Sequence, residues 1–171
     1  MGFYRGPHIV TDGLIYAIDA GSERSYPGSG TAVTAITGVG NGTLTNGVGF
    51  DSANGGSWTF DGADDYIDFN SFLVPGISQY DTITNFTISV WVNWDHFPTG
   101  NYDEIISWWR PGTDPYSDAF LGTTTSSAQG GSAANPGIRF GDGWTNTGAN
   151  FTAATDVDKW WQITAVKTSN N

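Results

Sequence analysis

Apolar and polar residues alternate most strictly in one segment near the middle of the chain. It reads Phe86-Thr87-Ile88-Ser89-Val90-Trp91-Val92-Asn93-Trp94. Successive side chains of a strand point to opposite faces, so this period of two predicts a β-strand. The face that begins with Phe86 is uniformly apolar, and we expect it to be buried. The opposite face carries polar residues and Trp91, and we expect it to be less deeply covered.

Shorter runs of the same kind predict strands along most of the chain. They lie at Leu14–Asp19, within Thr31–Gly49, at Glu104–Arg110, at Phe120–Gly122, at Gly137–Phe140, around Trp144 and Phe151, and at Trp160–Lys167. In the last of these, Trp161, Ile163 and Ala165 share one face. No helical period continues beyond two turns, and the chain is therefore predicted to be all-β.

Two segments between the strands have turn or loop composition. Ser57–Phe69 has two runs rich in aromatic and β-branched residues around a cluster of Asp, Gly and Ala. We expect a hairpin there, because Gly accepts a positive φ and Asp bonds back to nearby amides. Thr123–Pro136 is rich in Ser, Thr, Gly and Ala and has no apolar anchor. We expect it to be an exposed, mobile loop.

Composition and charge exclude several classes of function. The 171 residues suffice for one domain, and we expect an N-terminal arm at 1–12 followed by one domain at 13–171. The net charge of −11 would repel a nucleic-acid backbone. The absence of cysteine excludes disulfides and thiolate metal sites. No apolar run reaches membrane-spanning length, and the N-terminus lacks the apolar core of a signal peptide.

Five motifs occur in a characteristic order along the chain. They are Asp12–Gly21, Gly42–Gly47, Phe60–Ile67, Phe86–Val92 and Lys159–Thr164. Together they resemble LamG-like domains of the concanavalin-like lectin/glucanase superfamily, especially structural proteins of marine, cyanobacterial tailed phages. The resemblance implies a jelly-roll β-sandwich in which two sheets enclose one core.

The resemblance stops at the C-terminus. LamG-like domains usually continue with further strands, whereas this sequence ends at Thr168-Ser169-Asn170-Asn171. Roughly the last quarter of such a sandwich is therefore expected to be missing here. Either the sequence is part of a longer protein, or a partner chain supplies strands by β-augmentation.

Catalytic spacing is not evident in the sequence. Related glucanases carry their carboxylates on one strand as E-x-D-x-x-E, and this chain has no such string. Ile105 and Ile106 follow Glu104, so the neighbours of Glu104 cannot complete a pair. His8 and His96 are not accompanied by a G-x-S-x-G elbow. We therefore expect a protein without enzymatic activity.

Acidic residues concentrate in the segment after Phe60. Asp61, Asp64, Asp65 and Asp68 fall within eight positions. LamG-like domains often bind Ca²⁺ at loop edges, so the resemblance makes these four residues candidate Ca²⁺ ligands. The alternative is structural, because Asp61-Gly62 is ordinary turn chemistry and Asp65 can cap backbone amides.

Aromatic side chains are candidates for sugar contacts, since a flat ring presents an apolar face to a pyranose. The candidates retained are Trp94, Trp109 and Trp144, chosen from a group that also includes Trp108 and Trp160. Neighbours such as Trp108 and Trp109 must point to opposite faces of a strand. Core packing is the alternative role for each of these rings.

These features lead to a first functional hypothesis, a virion structural protein of a tailed phage that is assembled in the host cytoplasm. It would form a head decoration or a tail or fibre module, with host glycans as a second class of partner. Phe3, Tyr4 and Arg5 in the arm would anchor it to other virion proteins. We expect it to be oligomeric or assembly-bound. A secreted or cell-surface bacterial carbohydrate-binding module is the second hypothesis, and a glucanase-like glycoside hydrolase is the third.

Overall fold

A computed structural model describes residues 10–38, 40–69, 85–97, 102–108, 119–127, 131–141 and 146–168. Their secondary structure is mostly β, with several small antiparallel sheets. The strands are β1 (Ala32–Thr34), β2 (Asn41–Thr45), β3 (Gly49–Asp51), β4 (Ser57–Thr59), β5 (Tyr66–Asp68), β6 (Phe86–Asn93), β7 (Tyr102–Trp108), β8 (Ala119–Thr124), β9 (Gly137–Gly141), β10 (Asn146–Asn150) and β11 (Trp160–Lys167). A short 3₁₀ helix spans Ala53–Gly55. Among the described residues, no helix has the length and hydrophobicity needed to cross a bilayer.

The chain divides into two compact units, and Met1–Thr82 form the first. One of its sheets has the strand order β1-β2-β5, and the other pairs β3 with β4. Its buried centre consists of Tyr26, Val33 and Leu44. The ring of Tyr26 lies 5.2 Å from Phe50 and 5.8 Å from Trp58, centroid to centroid. Aromatic edge contacts therefore close this small core.

The second unit comprises Ile83–Asn171. Its larger sheet has the order β10-β9-β8-β7, and its smaller sheet pairs β11 with β6. Its core consists of buried residues from both sheets and the adjoining loops, namely Trp94, Phe97, Leu121, Phe151, Ile163 and Ala165. The prediction of an all-β chain is confirmed at this level, and the expected single domain over 13–171 stays a prediction.

β6 and β11 form the longest pairing in the described structure. Eight residues of each strand pair without a break, from Trp160 opposite Asn93 to Lys167 opposite Phe86. Exposure alternates residue by residue along β6. In β11, Ile163 and Ala165 are buried and Trp161 is half-buried, as their shared face predicts. Both strands were predicted from the sequence, and both are confirmed.

The hairpin expected within Ser57–Phe69 is wrong. The two runs do form strands, β4 and β5, but these strands do not pair with each other. β4 pairs with β3, and β5 pairs with β2. In the connecting turn, the carboxylates of Asp61 and Asp65 accept hydrogen bonds from backbone amides of the turn. These bonds stabilise the turn but do not specify which strand each run pairs with, and the two runs pair in different sheets.

The strand expected at Leu14–Asp19 does not form. Leu14, Tyr16 and Ile18 are half-buried and Ile15 is exposed, but Ala17 is half-buried as well, so the predicted alternation of faces is only partly present. No strand in the described part of the chain pairs with this segment. A backbone hydrogen bond joins it to the residues after β1, where the Ile36 amide donates to the Ala17 carbonyl at 2.8 Å. The side-chain pattern is partly that of a strand, but the backbone pairing needed for a ladder is missing.

The expectation of an exposed loop at Thr123–Pro136 is wrong at Thr123, Thr124, Gly131 and Pro136, whereas Ser127, Ala133, Ala134 and Asn135 are exposed as expected. Thr123 and Thr124 end β8 and are fully buried, and Gly131 and Pro136 are buried as well. A Cβ on Gly131 would lie 2.2 Å from the Thr124 carbonyl oxygen, so only glycine permits this close approach. Residues 128–130 lie outside the described ranges.

Leu121→Ala should destabilise the second unit. Leu121 is fully buried in the core with Phe151 and Ile163, so the truncation removes apolar contacts and leaves a cavity. We expect a loss of about 2–5 kcal/mol in the free energy of unfolding. The control is Val166→Ala at an exposed position of β11, which should change it by about 0.5 kcal/mol or less. Urea unfolding followed by tryptophan fluorescence measures both, and equal effects would contradict the core assignment.

Candidate functional site

The outer face of β6 and β11 is the most distinctive exposed surface of the second unit. We define this outer face by its eight outward-pointing residues, all exposed: Thr87, Ser89, Trp91, Asn93, Trp160, Gln162, Thr164 and Val166. Every one of these side chains is uncharged. The chain as a whole has a net charge of −11, so the outer face differs from the average surface in charge.

Two tryptophans dominate the outer face. Trp91 is 61% exposed and Trp160 is 42% exposed. Trp91 lies opposite Gln162, and Trp160 lies opposite Asn93, so the two indoles occupy diagonal positions on neighbouring strands. Diagonal Cα atoms of an antiparallel pair are about 7–8 Å apart, close enough for large side chains to act together.

Polar groups next to the indoles form a hydrogen-bonded row. The hydroxyls of Ser89 and Thr164 lie 3.1 Å apart across the two strands. The side-chain amide of Gln162 donates to the Ser89 hydroxyl at 3.3 Å. The outer face therefore combines apolar rings with hydroxyl and amide groups that can both donate and accept.

The turn before β11 fixes which tryptophan points outward. The Trp161 ring nitrogen donates to the Asp156 carbonyl at 3.0 Å, and its ring packs edge-on against Phe151. The Asp158 amide donates to the Trp94 carbonyl at 2.7 Å, which joins the turn to the end of β6. With Trp161 held toward the core, the alternation of the strand directs Trp160 to the outer face.

The sugar-contact candidates chosen from the sequence are not the tryptophans of the outer face. Trp94 is only 9% exposed, and its ring packs against Phe97 at 5.2 Å and Phe151 at 5.0 Å. Other rings therefore pack against the Trp94 ring, so Trp94 has the alternative role, core packing. Trp109 and Trp144 lie outside the described residues, as do Phe3, Tyr4 and Arg5.

The candidate metal ligands lie in the turn between β4 and β5. Carboxylate oxygens of Asp61, Asp64 and Asp65 lie within 4.8 Å of one another. Two of the three also support the turn: Asp61 Oδ1 accepts from the Ala63 amide at 2.8 Å, and Asp65 Oδ2 accepts from the Asp61 amide at 3.0 Å. Asp68 is not part of this group, because it lies in β5 opposite Thr43.

The three carboxylates fit a Ca²⁺ ion in the type of atom they offer. The other oxygen of Asp65, Oδ1, is buried and accepts no hydrogen bond within the described part of the chain. The Asp64 side chain is exposed, and its backbone carbonyl accepts from Asn46 at 2.8 Å. Ca²⁺ takes six to eight oxygen ligands, so the three residues could supply part of a site. Turn formation explains Asp61 and Asp65 without a metal.

Two consecutive carboxylates, Asp103 and Glu104, lie at the start of β7. Partial burial raises the pKa of Asp103 above its ordinary value; His96 opposes the rise, and Glu104 adds to it. A glycosidase needs a second carboxylate across the sugar from the first. Asp103 and Glu104 are consecutive residues of a regularly paired stretch, so they point to opposite faces of the strand. They therefore do not form a facing pair.

No protein-family model, no curated protein and no solved structure gives a significant match to this chain. The candidate sites therefore depend on the residues described above.

The structural role of the acidic turn can be tested with a matched pair of variants. Asp65→Ala removes the acceptor of the Asp61 amide and should lower the free energy of unfolding by about 1–2 kcal/mol in the presence of EDTA. Asp64→Asn keeps the backbone carbonyl that binds Asn46 and should have little effect in EDTA. Thermal unfolding measures both.

Equal Tm values for the two variants in EDTA would contradict the structural role. Repeating the measurement with Ca²⁺ tests the metal role. If Ca²⁺ raises the Tm of the original chain and Asp64→Asn abolishes that rise, the turn is a metal site. An unchanged Tm, with a silent calorimetric titration, leaves turn formation as the role of these residues.

Proposed function

We propose that the chain is a non-enzymatic structural protein of a tailed-phage virion. In this role it displays a lectin-like jelly-roll sandwich, either as a head decoration or as a module of a tail or fibre. The observation that carries this proposal is the ordered set of five LamG-like motifs along the sequence. The β-rich fold of the described residues agrees with it.

The pairing of the motif segments supports a structural use for them. Gly42–Thr45 lie in β2, and Tyr66 and Ile67 lie in β5, which pairs with β2. The motifs at Phe86–Val92 and Lys159–Thr164 contribute β6 and β11, which also pair with each other. Four of the five motifs therefore contribute residues to strand pairing, whereas Asp12–Gly21 forms no strand. Residues that build a scaffold are expected to behave in this way, whereas catalytic residues converge on a cleft.

The distribution of carboxylates supports the absence of catalysis. Within the described residues, the acidic group between β4 and β5 supports a turn, and the carboxylates of Asp103 and Glu104 face apart. Neither arrangement offers an acid and a base on opposite sides of a glycosidic bond. Laminarin hydrolysis that is lost in Glu104→Gln would favour the glucanase hypothesis instead.

A secreted or cell-surface bacterial carbohydrate-binding module is the second candidate. The observation that supports it is the outer face, where Trp91 and Trp160 are exposed and could contact a sugar. The two candidates differ in location and not in the surface they would use. Detection of the protein in purified phage particles would distinguish the two candidate functions.

Mass spectrometry of purified particles should find this protein as a stoichiometric component. The expected result is peptides of the chain that co-purify with major virion proteins through a density gradient. Peptides recovered only from the culture supernatant or the bacterial envelope would contradict the virion role and favour the carbohydrate-binding module. The same spectra should contain peptides that reach Trp160–Lys167, since β11 is part of the fold.

Deletion of residues 1–12 should abolish incorporation into particles. In the proposed role, Phe3, Tyr4 and Arg5 contact virion partners, whereas the first described strand, β1, begins only at Ala32. Far-ultraviolet circular dichroism of the truncated chain provides the folding control. A truncated chain that folds and still enters particles at the original level would contradict the anchoring role of the arm.

A further inference from the structure

We propose that the outer face of β6 and β11 binds an uncharged polysaccharide, with Trp91 and Trp160 as stacking platforms. This inference rests on the display role proposed above, because display would bring the outer face against external surfaces. It adds a site to that role and narrows its glycan partners to uncharged polysaccharides. The site consists of residues whose exposure and register are described, and it excludes Trp94, which lies in the core.

Charge identifies the class of ligand. The outer face carries no charged side chain, although the chain has 17 acidic residues against 6 lysines and arginines. A cationic ligand would find no carboxylate on the outer face, and an anionic ligand would be repelled by the rest of the molecule. A neutral ligand is the class that this surface fits.

Two exposed indoles identify the mode of contact. The C–H groups on one side of a pyranose ring form an apolar patch, which loses water when it packs against a flat aromatic ring. Trp91 and Trp160 both stand on strands within an unbroken eight-residue register, so little conformational entropy is lost when a ligand binds. Their diagonal placement allows one extended chain to contact both rings.

The polar row supplies the second part of the contact. Sugar hydroxyls both donate and accept hydrogen bonds. The hydroxyls of Ser89 and Thr164 and the amide of Gln162 do the same, and all three side chains are exposed. A sugar stacked on Trp91 lies next to Gln162, which is directly opposite Trp91 on the neighbouring strand. The outer face therefore offers apolar and hydrogen-bonding contacts in adjacent positions, as carbohydrate sites require.

The diagonal placement of the two indoles favours a polymer over a small sugar. A monosaccharide would contact one indole and gain little free energy. A polysaccharide can contact both indoles at once, and the second contact then forms at high effective concentration. A second copy of this chain is the competing occupant, since exposed rings also pack against each other.

Affinity gel electrophoresis of the full chain tests the site. The probes are hydroxyethylcellulose, laminarin and dextran as neutral polymers, and alginate as a charged one. At least one neutral polymer should retard the chain, and alginate should not. Trp91→Ala and Trp160→Ala should each raise the dissociation constant about tenfold or more. Trp91→Phe, which keeps a flat ring, should retain much of the affinity.

Two control variants remove exposed apolar side chains that the site does not need. Phe60→Ala removes a 52% exposed ring after β4, and Tyr66→Ala removes a 49% exposed ring from β5, both in the first unit and outside the outer face. Both should bind within about twofold of the original chain. Thermal unfolding of every variant establishes that its fold is intact, and Trp91→Phe provides the test if an alanine variant fails to fold.

Three results would overturn the inference. One is the absence of retardation by every neutral polymer, and another is equal retardation by alginate. The third is retardation that persists when both tryptophans are replaced. Concentration-dependent dimers that disappear in Trp91→Ala would assign the outer face to a second copy of the chain. Binding is measured on the purified chain, so its failure is distinct from failure to detect the protein in virions.

Discussion

The unbroken pairing of β6 with β11 is the constraint on which the described second unit depends. Eight residues of each strand are in register, and both strands alternate between an apolar and a polar face. A slip of one residue would move every core side chain to solvent and every outward side chain to the core. Trp161 and its bond to the Asp156 carbonyl oppose such a slip, because they hold the start of β11 in one orientation.

The same alternation produces both the core and the outer face. On the inner side, Ile163 and Ala165 join the buried cluster around Leu121. On the outer side, two tryptophans stand among uncharged polar residues. Four of the eight tryptophans in the chain lie in or directly after these two strands, with Trp94 and Trp161 facing inward and Trp91 and Trp160 facing outward. The tryptophans therefore pack in the core or are exposed according to the face of the strand on which their position places them.

The sequence predicted correctly which face these tryptophans occupy, but of the two exposed rings only Trp160 was among those considered for sugar contacts, and neither was retained. The pattern from Phe86 onward already placed Trp94 on the apolar face and Trp91 on the polar one. The pairing partners of the two runs within Ser57–Phe69 could not be predicted in the same way. Local turn chemistry does not specify which strand a run will pair with. The burial of Thr123 and Thr124 was missed for a related reason: hydroxyl side chains in a central strand resemble a loop in composition.

Oxidation of tryptophan in the folded chain by N-bromosuccinimide, mapped by peptide mass spectrometry, tests the central claim most directly. The account predicts that Trp91 and Trp160 react before Trp94 and Trp161, because the outward pair is exposed and the inward pair packs against Phe151. Reaction of Trp94 or Trp161 as fast as Trp91 in the folded chain would contradict the register and the outer face together.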